Sequence, residues 1–185
     1  MTKVFLIHGW DGHPHNNWFP WLIAELKAKY IEVEAPYLPN PAAPKVKGWL
    51  SYLKDYVGKA DEETFFVAHS LGCNAVLRLL ETLNPKVKIG GCIFVGGFSG
   101  DIGIPEVSEF VSLPLDLKKA KSHAKKIINI FSDNDEVVTL AESLKFARDL
   151  GAKKIMIKGA GHFGSEDGYK SLPIVLEALL PMLKI

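Results

Sequence analysis

Residues 64–80, TFFVAHSLGCNAVLRLL, are the stretch from which the fold is predicted. The stretch begins with an apolar and aromatic run that is typical of a buried strand. From Leu71 onward, apolar residues recur on one face of a helix. Only a short corner centred on Ser70 separates the two elements, and the small residues Ala68 and Gly72 flank it on either side. The pattern therefore predicts a strand that turns directly into a helix, with Ser70 in a strained conformation.

The corner also makes Ser70 a candidate nucleophile. Its hydroxyl would lie at the start of a helix, where free N–H groups and the helix dipole favour negative charge. A serine between a strand and a helix with small neighbours is typical of a nucleophile elbow, although Ala68 stands where that motif usually has glycine. Serine is also a preferred helix N-cap, which is the structural alternative. The strand-to-helix context favours the nucleophile.

Strand-like and helical patterns alternate along the whole chain. The predicted strands are residues 4–7, 31–35, 64–68, 91–95, 127–131 and 154–157. The predicted helices are residues 17–30, 45–59, 71–83, 140–150 and 172–183. This order indicates an α/β protein of one domain over residues 1–185, with a mostly parallel sheet of about six strands and helices on both faces. The irregular segment 98–122 is expected to hold one or two short helices and a small flap.

Composition argues against several function classes. The chain has 22 Lys plus Arg and 21 Asp plus Glu, a net charge of +1, so we expect no nucleic-acid or membrane partner. No segment approaches the roughly 18 apolar residues of a membrane span. Cys73 and Cys92 fall on a predicted helix and strand and are interpreted as core residues, which favours a cytoplasmic location. The oligomeric state is not predicted.

The topology also predicts where a ligand would bind. Doubly wound sheets bind ligands where the strand order reverses, beyond the carboxyl ends of the strands. If that point lies between the first and third strands, the loops at residues 8–10 and 69–71 border the crevice. The backbone N–H groups of Trp10 and Leu71 could then hold an oxyanion. The residues expected to line the substrate site are His8, Gly9, Trp10, His69 and Ser99.

A serine nucleophile needs a base, and the base needs an acid. His162 is the predicted base, because its Gly-rich loop follows the last strand and reaches the same edge of the sheet as Ser70. The acid should follow the fifth strand, where both Asp133 and Asp135 occur. We favour Asp135, because an acid at the strand end reaches less far into the cleft; Asp133 is then a turn residue bonded to its own backbone.

Taken together, these motifs resemble the α/β-hydrolase family in its chain order of serine, acid and histidine. The motifs that carry the resemblance are His8-Gly9-Trp10, Ala68-His69-Ser70-Leu71-Gly72, Asp135 and Gly161-His162-Phe163. The small size and the absence of a substantial cap domain resemble the compact serine hydrolases of the retinoblastoma-binding protein 9 and YdeN type. The resemblance implies Ser70 as nucleophile, Asp135 as acid, His162 as base, and Trp10 and Leu71 as oxyanion donors.

The expected activity is hydrolysis of esters, thioesters or amides of small acyl groups, on a small-molecule substrate and without a cofactor. Two alternatives remain: a binding protein that keeps an inert site, and another reaction on the same three residues, such as acyl transfer. His8, Asp11, His13 and His15 are suitable metal ligands by type, but their spacing matches no metal motif, so no metal site is expected. They are interpreted as the rim of the cleft.

Overall fold

The computed structural model describes residues 2–183 and contains one six-stranded parallel sheet. The strands are β1 (Lys3–Ile7), β2 (Glu32–Glu34), β3 (Thr64–His69), β4 (Gly91–Val95), β5 (Ile127–Ser132) and β6 (Lys153–Ile157). Their spatial order is β2-β1-β3-β4-β5-β6. The order reverses between β1 and β3, so the predicted position of the switch point is confirmed.

Helices cover both faces of the sheet. They are α1 (Phe19–Ala28), α2 (Val46–Val57), α3 (Leu71–Glu81), α4 (Ser108–Ser112), α5 (Leu117–Ser122), α6 (Leu140–Leu150) and α7 (Pro173–Leu183). Side chains of α1 and α7 pack with one face of the sheet, and side chains of α2, α3 and α6 pack with the other. The central strands β3, β4 and β5 are buried along their whole length, which explains their near-continuous apolar sequences. The predicted three-layer α/β architecture is confirmed.

The observed ends of α1, α2, α3 and α7 differ from the predicted ones, and those of α1 and α2 have local reasons. Helix α1 begins at Phe19 and not at residue 17, because Asn17 has a left-handed φ of 53° and Pro20 fits the first turn of a helix. Helix α2 stops at Val57, because Gly58 takes a φ of 62° and leaves the helical conformation. Helix α6 has the predicted bounds.

The segment after β4 holds two short α-helices, as predicted, and also a 3₁₀ turn. A 3₁₀ turn at Pro105–Val107 runs directly into α4, and α5 follows. This segment is held by the buried Arg78 of α3, whose guanidinium donates to the carbonyls of Phe110 (2.6 Å), Leu113 (2.8 Å) and Pro114 (3.3 Å). The positively charged side chain of Arg78 thus caps the C-terminal end of α4. Within residues 2–183, no helix is long and apolar enough to cross a membrane.

Candidate active site

Ser70 occupies the corner between β3 and α3. Its φ of 54° and ψ of −125° are strained values for a residue with a side chain, as the sequence predicts. The Ser70 N–H donates to the Val95 carbonyl at 2.9 Å and so ties the corner to β4. Gly72 must lack a side chain, because a Cβ there would lie 2.6 Å from the His8 carbonyl oxygen. Ala68 is fully buried within β3, so its methyl group is accommodated in place of the usual glycine.

The predicted base and acid meet at this corner. Ser70 Oγ lies 2.9 Å from His162 Nε2, and His162 Nδ1 lies 2.8 Å from Asp135 Oδ2. The other carboxylate oxygen of Asp135 accepts the N–H groups of Val137 and Val138, both at 2.8 Å. The Asp135 carboxylate is fully buried, and three hydrogen bonds fix its orientation. Such an arrangement can hold the imidazole with Nδ1–H toward the acid and Nε2 free to accept a proton.

Asp133 does a different job from the predicted one. Asp133 accepts the N–H of Gly159 at 2.8 Å, and this hydrogen bond takes the place of the predicted bond to its own backbone. Ser132 Oγ accepts the N–H of Ala160 at 2.9 Å, and Asn134 Oδ1 accepts that of Gly161 at 2.9 Å. Three consecutive side chains at the end of β5 therefore bind three consecutive amides after β6. The two loops that carry Asp135 and His162 are locked to each other.

The backbone of His162 itself is held on both sides. Asp167 Oδ2 accepts the N–H of His162 at 2.9 Å and that of Gly164 at 3.0 Å. On the other side, His69 Nε2–H donates to the His162 carbonyl at 2.8 Å. Sequence reasoning missed Asp167, and its only signal was an acidic residue in a Gly- and Ser-rich loop, a position that often binds backbone amides.

The loop after β1 approaches Ser70 as predicted. A Cβ on Gly9 would lie 2.9 Å from Ser70 Cβ and 3.4 Å from the Leu71 amide nitrogen, so the approach requires glycine. Leu71 is the first residue of α3, where N–H groups have no intrahelical acceptor. The N–H of Trp10 donates to no acceptor among the described residues. Both amides are therefore available to a ligand, which is what an oxyanion hole requires.

His8 and His69, two of the predicted substrate-binding residues, use their ring nitrogens within the protein. His8 is buried; its Nδ1–H donates to the Gly9 carbonyl at 2.8 Å, and its Nε2 accepts the Leu38 N–H at 3.0 Å. Since the Gly9 carbonyl and the Trp10 N–H belong to one peptide plane, His8 also orients that N–H. Burial lowers the pKa of His8, and burial lowers the pKa of His69 to about 3. Both rings border the cleft, but as neutral supports of its loops.

Ser99, which was predicted to line the substrate site, lies outside the cleft. The Ser99 N–H donates to Glu142 Oε1 of α6 at 2.8 Å, and Ser99 does not line the cleft. The chain turns at Gly96, with a φ of 58°, and Phe98 supplies the wall in its place. Cys73, one turn into α3, is fully buried, and burial raises the pKa of its thiol, so it has no thiolate character.

The cleft above Ser70 has a volume of about 650 Å³. One wall is apolar and comes mainly from the segment after β4: Phe98, Ile102, Ile104, Val107 and Val137. The polar side is built mainly by the loops after β1 and β6, and Asn17 joins these two loops by accepting the Ser165 N–H at 2.9 Å. Trp10, Asp11 and His13 line this side, as the rim prediction expects, whereas His15 does not. Residues 2–183 contain no group of three or more His, Cys, Asp or Glu residues arranged to hold a metal ion.

Comparisons with known proteins agree with this geometry. Residues 4–180 match the family model described as serine hydrolase. The chain is 37% identical over 181 residues to YdeN of Bacillus subtilis (strain 168), a candidate hydrolase by name, covering 97% of this chain and 95% of YdeN. The crystal structure of the B. subtilis ydeN gene product superposes with a TM-score of 0.94 at 34% identity, covering both chains completely.

More distant structures share the fold. MGS-MChE2, an α/β hydrolase from a sediment metagenome of the Mar Chica lagoon, has a TM-score of 0.68 at 22% identity, covering 100% of this chain and 92% of the other. A carboxylesterase structure from the thaumarchaeon Nitrososphaera gargenis has a TM-score of 0.75 at 11% identity, covering 99% and 91%. With the strained serine corner and the reversed strand order, these matches show that the chain has the α/β-hydrolase fold and belongs to the serine hydrolase family.

Proposed function

We propose that this protein hydrolyses esters, thioesters or amides of small acyl groups through an acyl-enzyme on Ser70. The observation that carries the proposal is the unbroken series of contacts from Ser70 Oγ to His162 Nε2 (2.9 Å) and from His162 Nδ1 to Asp135 Oδ2 (2.8 Å). Membership of the serine hydrolase family supports a hydrolase, and the geometry supports the finer assignment.

The chemistry follows from these positions. His162 Nε2 removes the Ser70 proton as Oγ attacks the acyl carbonyl, and the N–H groups of Trp10 and Leu71 stabilise the tetrahedral oxyanion. His162 then gives its proton to the leaving alcohol, thiol or amine, which departs. Water, deprotonated by His162, attacks the acyl-enzyme and releases the acid and free Ser70. Asp135 holds the imidazole in the correct tautomer throughout.

The shape of the cleft supports a short acyl group. The apolar wall is formed by few side chains, mainly from one short segment, and residues 2–183 form no substantial cap domain over it. A long chain would leave most of its apolar surface in water and gain little binding free energy. Hydrolysis that increases steadily with chain length from butyrate to palmitate esters would contradict this part of the proposal. A cytoplasmic location stays a prediction from cysteine usage.

A fluorophosphonate probe tests the proposed nucleophile directly, because it reacts only with an activated serine. The intact protein should be labelled, and Ser70→Ala and His162→Ala should not. Ser51→Ala is the matched control: Ser51 is exposed on α2, away from the cleft, and this variant should be labelled like the intact protein. A folded intact protein that resists the probe and hydrolyses no p-nitrophenyl ester would favour the binding-protein alternative.

A further inference from the structure

The charged residues that line the cleft indicate which kind of substrate it accepts. Four carboxylates line the cleft, those of Asp11, Glu136, Glu166 and Asp167, and no Lys or Arg of residues 2–183 lines it. None of the four forms a salt bridge within residues 2–183. His8 and His69 do not offset this charge, since burial lowers the pKa of both. A chain with a net charge of only +1 therefore presents a negatively charged cleft.

The position of the base decides which part of a substrate meets this charge. The leaving group must come within hydrogen-bond distance of His162 Nε2 to be protonated, so it lies on the side of the cleft formed by the loop around His162. That loop carries Glu166 and Asp167, and the loop after β5 that holds Asp135 also carries Glu136. The apolar lining, which comes mainly from the segment after β4, is then assigned to the acyl group.

Asp167 and Trp10 make this side suited to a cation. Asp167 is held in place, because its Oδ2 accepts the N–H groups of His162 and Gly164, while its Oδ1 accepts no hydrogen bond from the described residues. Trp10 lines the cleft and is 39% exposed, and its indole Nε1–H donates to the Ala42 carbonyl at 3.0 Å, which holds the ring in place. An aromatic face that lines a binding cleft can attract an ammonium group through the ring quadrupole.

We infer that the cleft selects substrates with a short apolar acyl group and a positively charged leaving group, such as an ammonium-bearing alcohol or amine. The inference rests on the proposed function, since it assigns the two sides of the cleft from the roles of Ser70 and His162. The four carboxylates border the reaction site itself and define no separate site. Electrostatic attraction concentrates cationic substrates in the cleft and repels anionic ones.

Three butyrate esters of similar size test the inference. Butyrylcholine carries the positive charge, 3,3-dimethylbutyl butyrate replaces its nitrogen by carbon and is neutral, and butyryl glycolate is anionic. At low ionic strength we expect kcat/KM for butyrylcholine to exceed that for the neutral ester by about three- to tenfold, and the anionic ester to be slower than the neutral one. In about 1 M salt, where the Debye length falls to about 3 Å, the ratio should approach one.

Variants that each neutralise one carboxylate show which residues cause the preference for the cationic ester. Glu166→Gln and Asp11→Asn should each lower the choline-to-neutral ratio by about 1.5- to fivefold, because each removes one charge at nearly constant volume. Glu177→Gln is the matched control, because Glu177 is exposed on α7 and does not line the cleft; its ratio should equal that of the intact protein.

The outcomes separate the two proposals. A protein that hydrolyses the neutral ester as fast as butyrylcholine at low salt, and that the fluorophosphonate probe labels, overturns the inference and leaves the proposed function standing. A ratio above one that Glu166→Gln, Asp11→Asn and salt leave unchanged also overturns it. Absence of both labelling and ester hydrolysis overturns the inference together with the proposed function.

Discussion

Gly9 and Ser70 lie so close together that a Cβ on Gly9 would be 2.9 Å from Ser70 Cβ. The same Cβ would lie 3.1 Å from the His69 carbonyl oxygen, so the backbone on both sides of the nucleophile corner surrounds this position. The loop after β1 can supply an oxyanion donor only because it runs this close to Ser70. The contact therefore links a backbone requirement to the proposed chemistry.

Gly9→Ala should reduce activity with little loss of folded protein. The added methyl group must push the 8–10 loop away from Ser70, and displacing one oxyanion donor costs about 100-fold in kcat. The measurement is kcat for p-nitrophenyl butyrate, with circular dichroism to check folding. Gly48→Ala is the control, because Gly48 lies on α2 with open space where a Cβ would point, and alanine favours helix. Equal kcat in both variants would contradict the proposed role of the loop.

Asp135 and Asp133, the two acids after β5, should differ in their contribution to kcat. Asp135→Asn puts an amide opposite His162 Nδ1 and favours the wrong tautomer, so we expect kcat to fall by about 1,000-fold or more. Asp133→Asn keeps an oxygen that can accept the Gly159 N–H, so kcat should change by less than about threefold. Kinetics of both variants with one ester give the comparison. A larger loss in Asp133→Asn than in Asp135→Asn would reverse the assignment of the acid.

Arg78 should contribute strongly to stability. It is 6% exposed, and its guanidinium donates to three carbonyls at the end of α4. Arg78→Met removes these donors from a buried site, and we expect the free energy of unfolding to fall by about 2–4 kcal/mol. Urea denaturation measures it. Arg148→Met is the matched control on an exposed side chain and should unfold nearly as the intact protein does. Equal urea midpoints for Arg78→Met and Arg148→Met would show that the three carbonyls accept hydrogen bonds from other donors in Arg78→Met.

His69 should make the protein less stable in acid. Because burial lowers the pKa of His69 to about 3 in the folded chain, the unfolded chain alone binds a proton as the pH falls below about 6.5. The stability from neutral His69 is fully present above pH 6.5 and is lost progressively between pH 6.5 and about pH 3, at about 1.4 kcal/mol per pH unit.

His69→Gln should remove this part of the pH dependence. Urea denaturation at pH 7 and pH 5 gives the slope for the intact protein and for the variant, and the variant's slope should be smaller. His15→Gln, at an exposed loop position, is the control and should keep the slope of the intact protein. Identical slopes in all three proteins would mean that His69 takes up its proton in the folded chain.

Local patterns in the sequence predict much of this molecule. The apolar runs of β3, β4 and β5 and the helical period of α3 and α6 are visible along the chain, because burial on one or both faces dictates these patterns. Topological rules then bring the ends of these strands to one edge of the sheet, and so predict that Ser70, Asp135 and His162 meet. Element ends were predicted less well where one backbone angle decides them, as at Asn17 and Gly58.

Several residues owe their roles to contacts that leave no local pattern. His8 lines the cleft as predicted, but folding places both of its ring nitrogens against backbone groups, one of them 30 positions away at Leu38. Ser99 was expected at the site, yet its N–H is bound by Glu142 across 43 positions. A polar side chain in a loop has no periodicity that reveals whether it faces ligand, backbone or water.

By itself, the sequence determined the order of strands and helices, the strained serine corner, and the serine, acid and histidine that the fold brings together, because each depends on burial periodicity or on chain order at one sheet edge. Only the tertiary structure decided which residues hold the surrounding backbone in place. Asp167 accepts the His162 N–H, Ser132 to Asn134 bind amides of the loop after β6, and Arg78 binds carbonyls at the end of α4. The tertiary structure also decided that the cleft is lined by carboxylates without a Lys or Arg. Such contacts join loops distant in sequence, and the packing of the whole chain determines which loops meet.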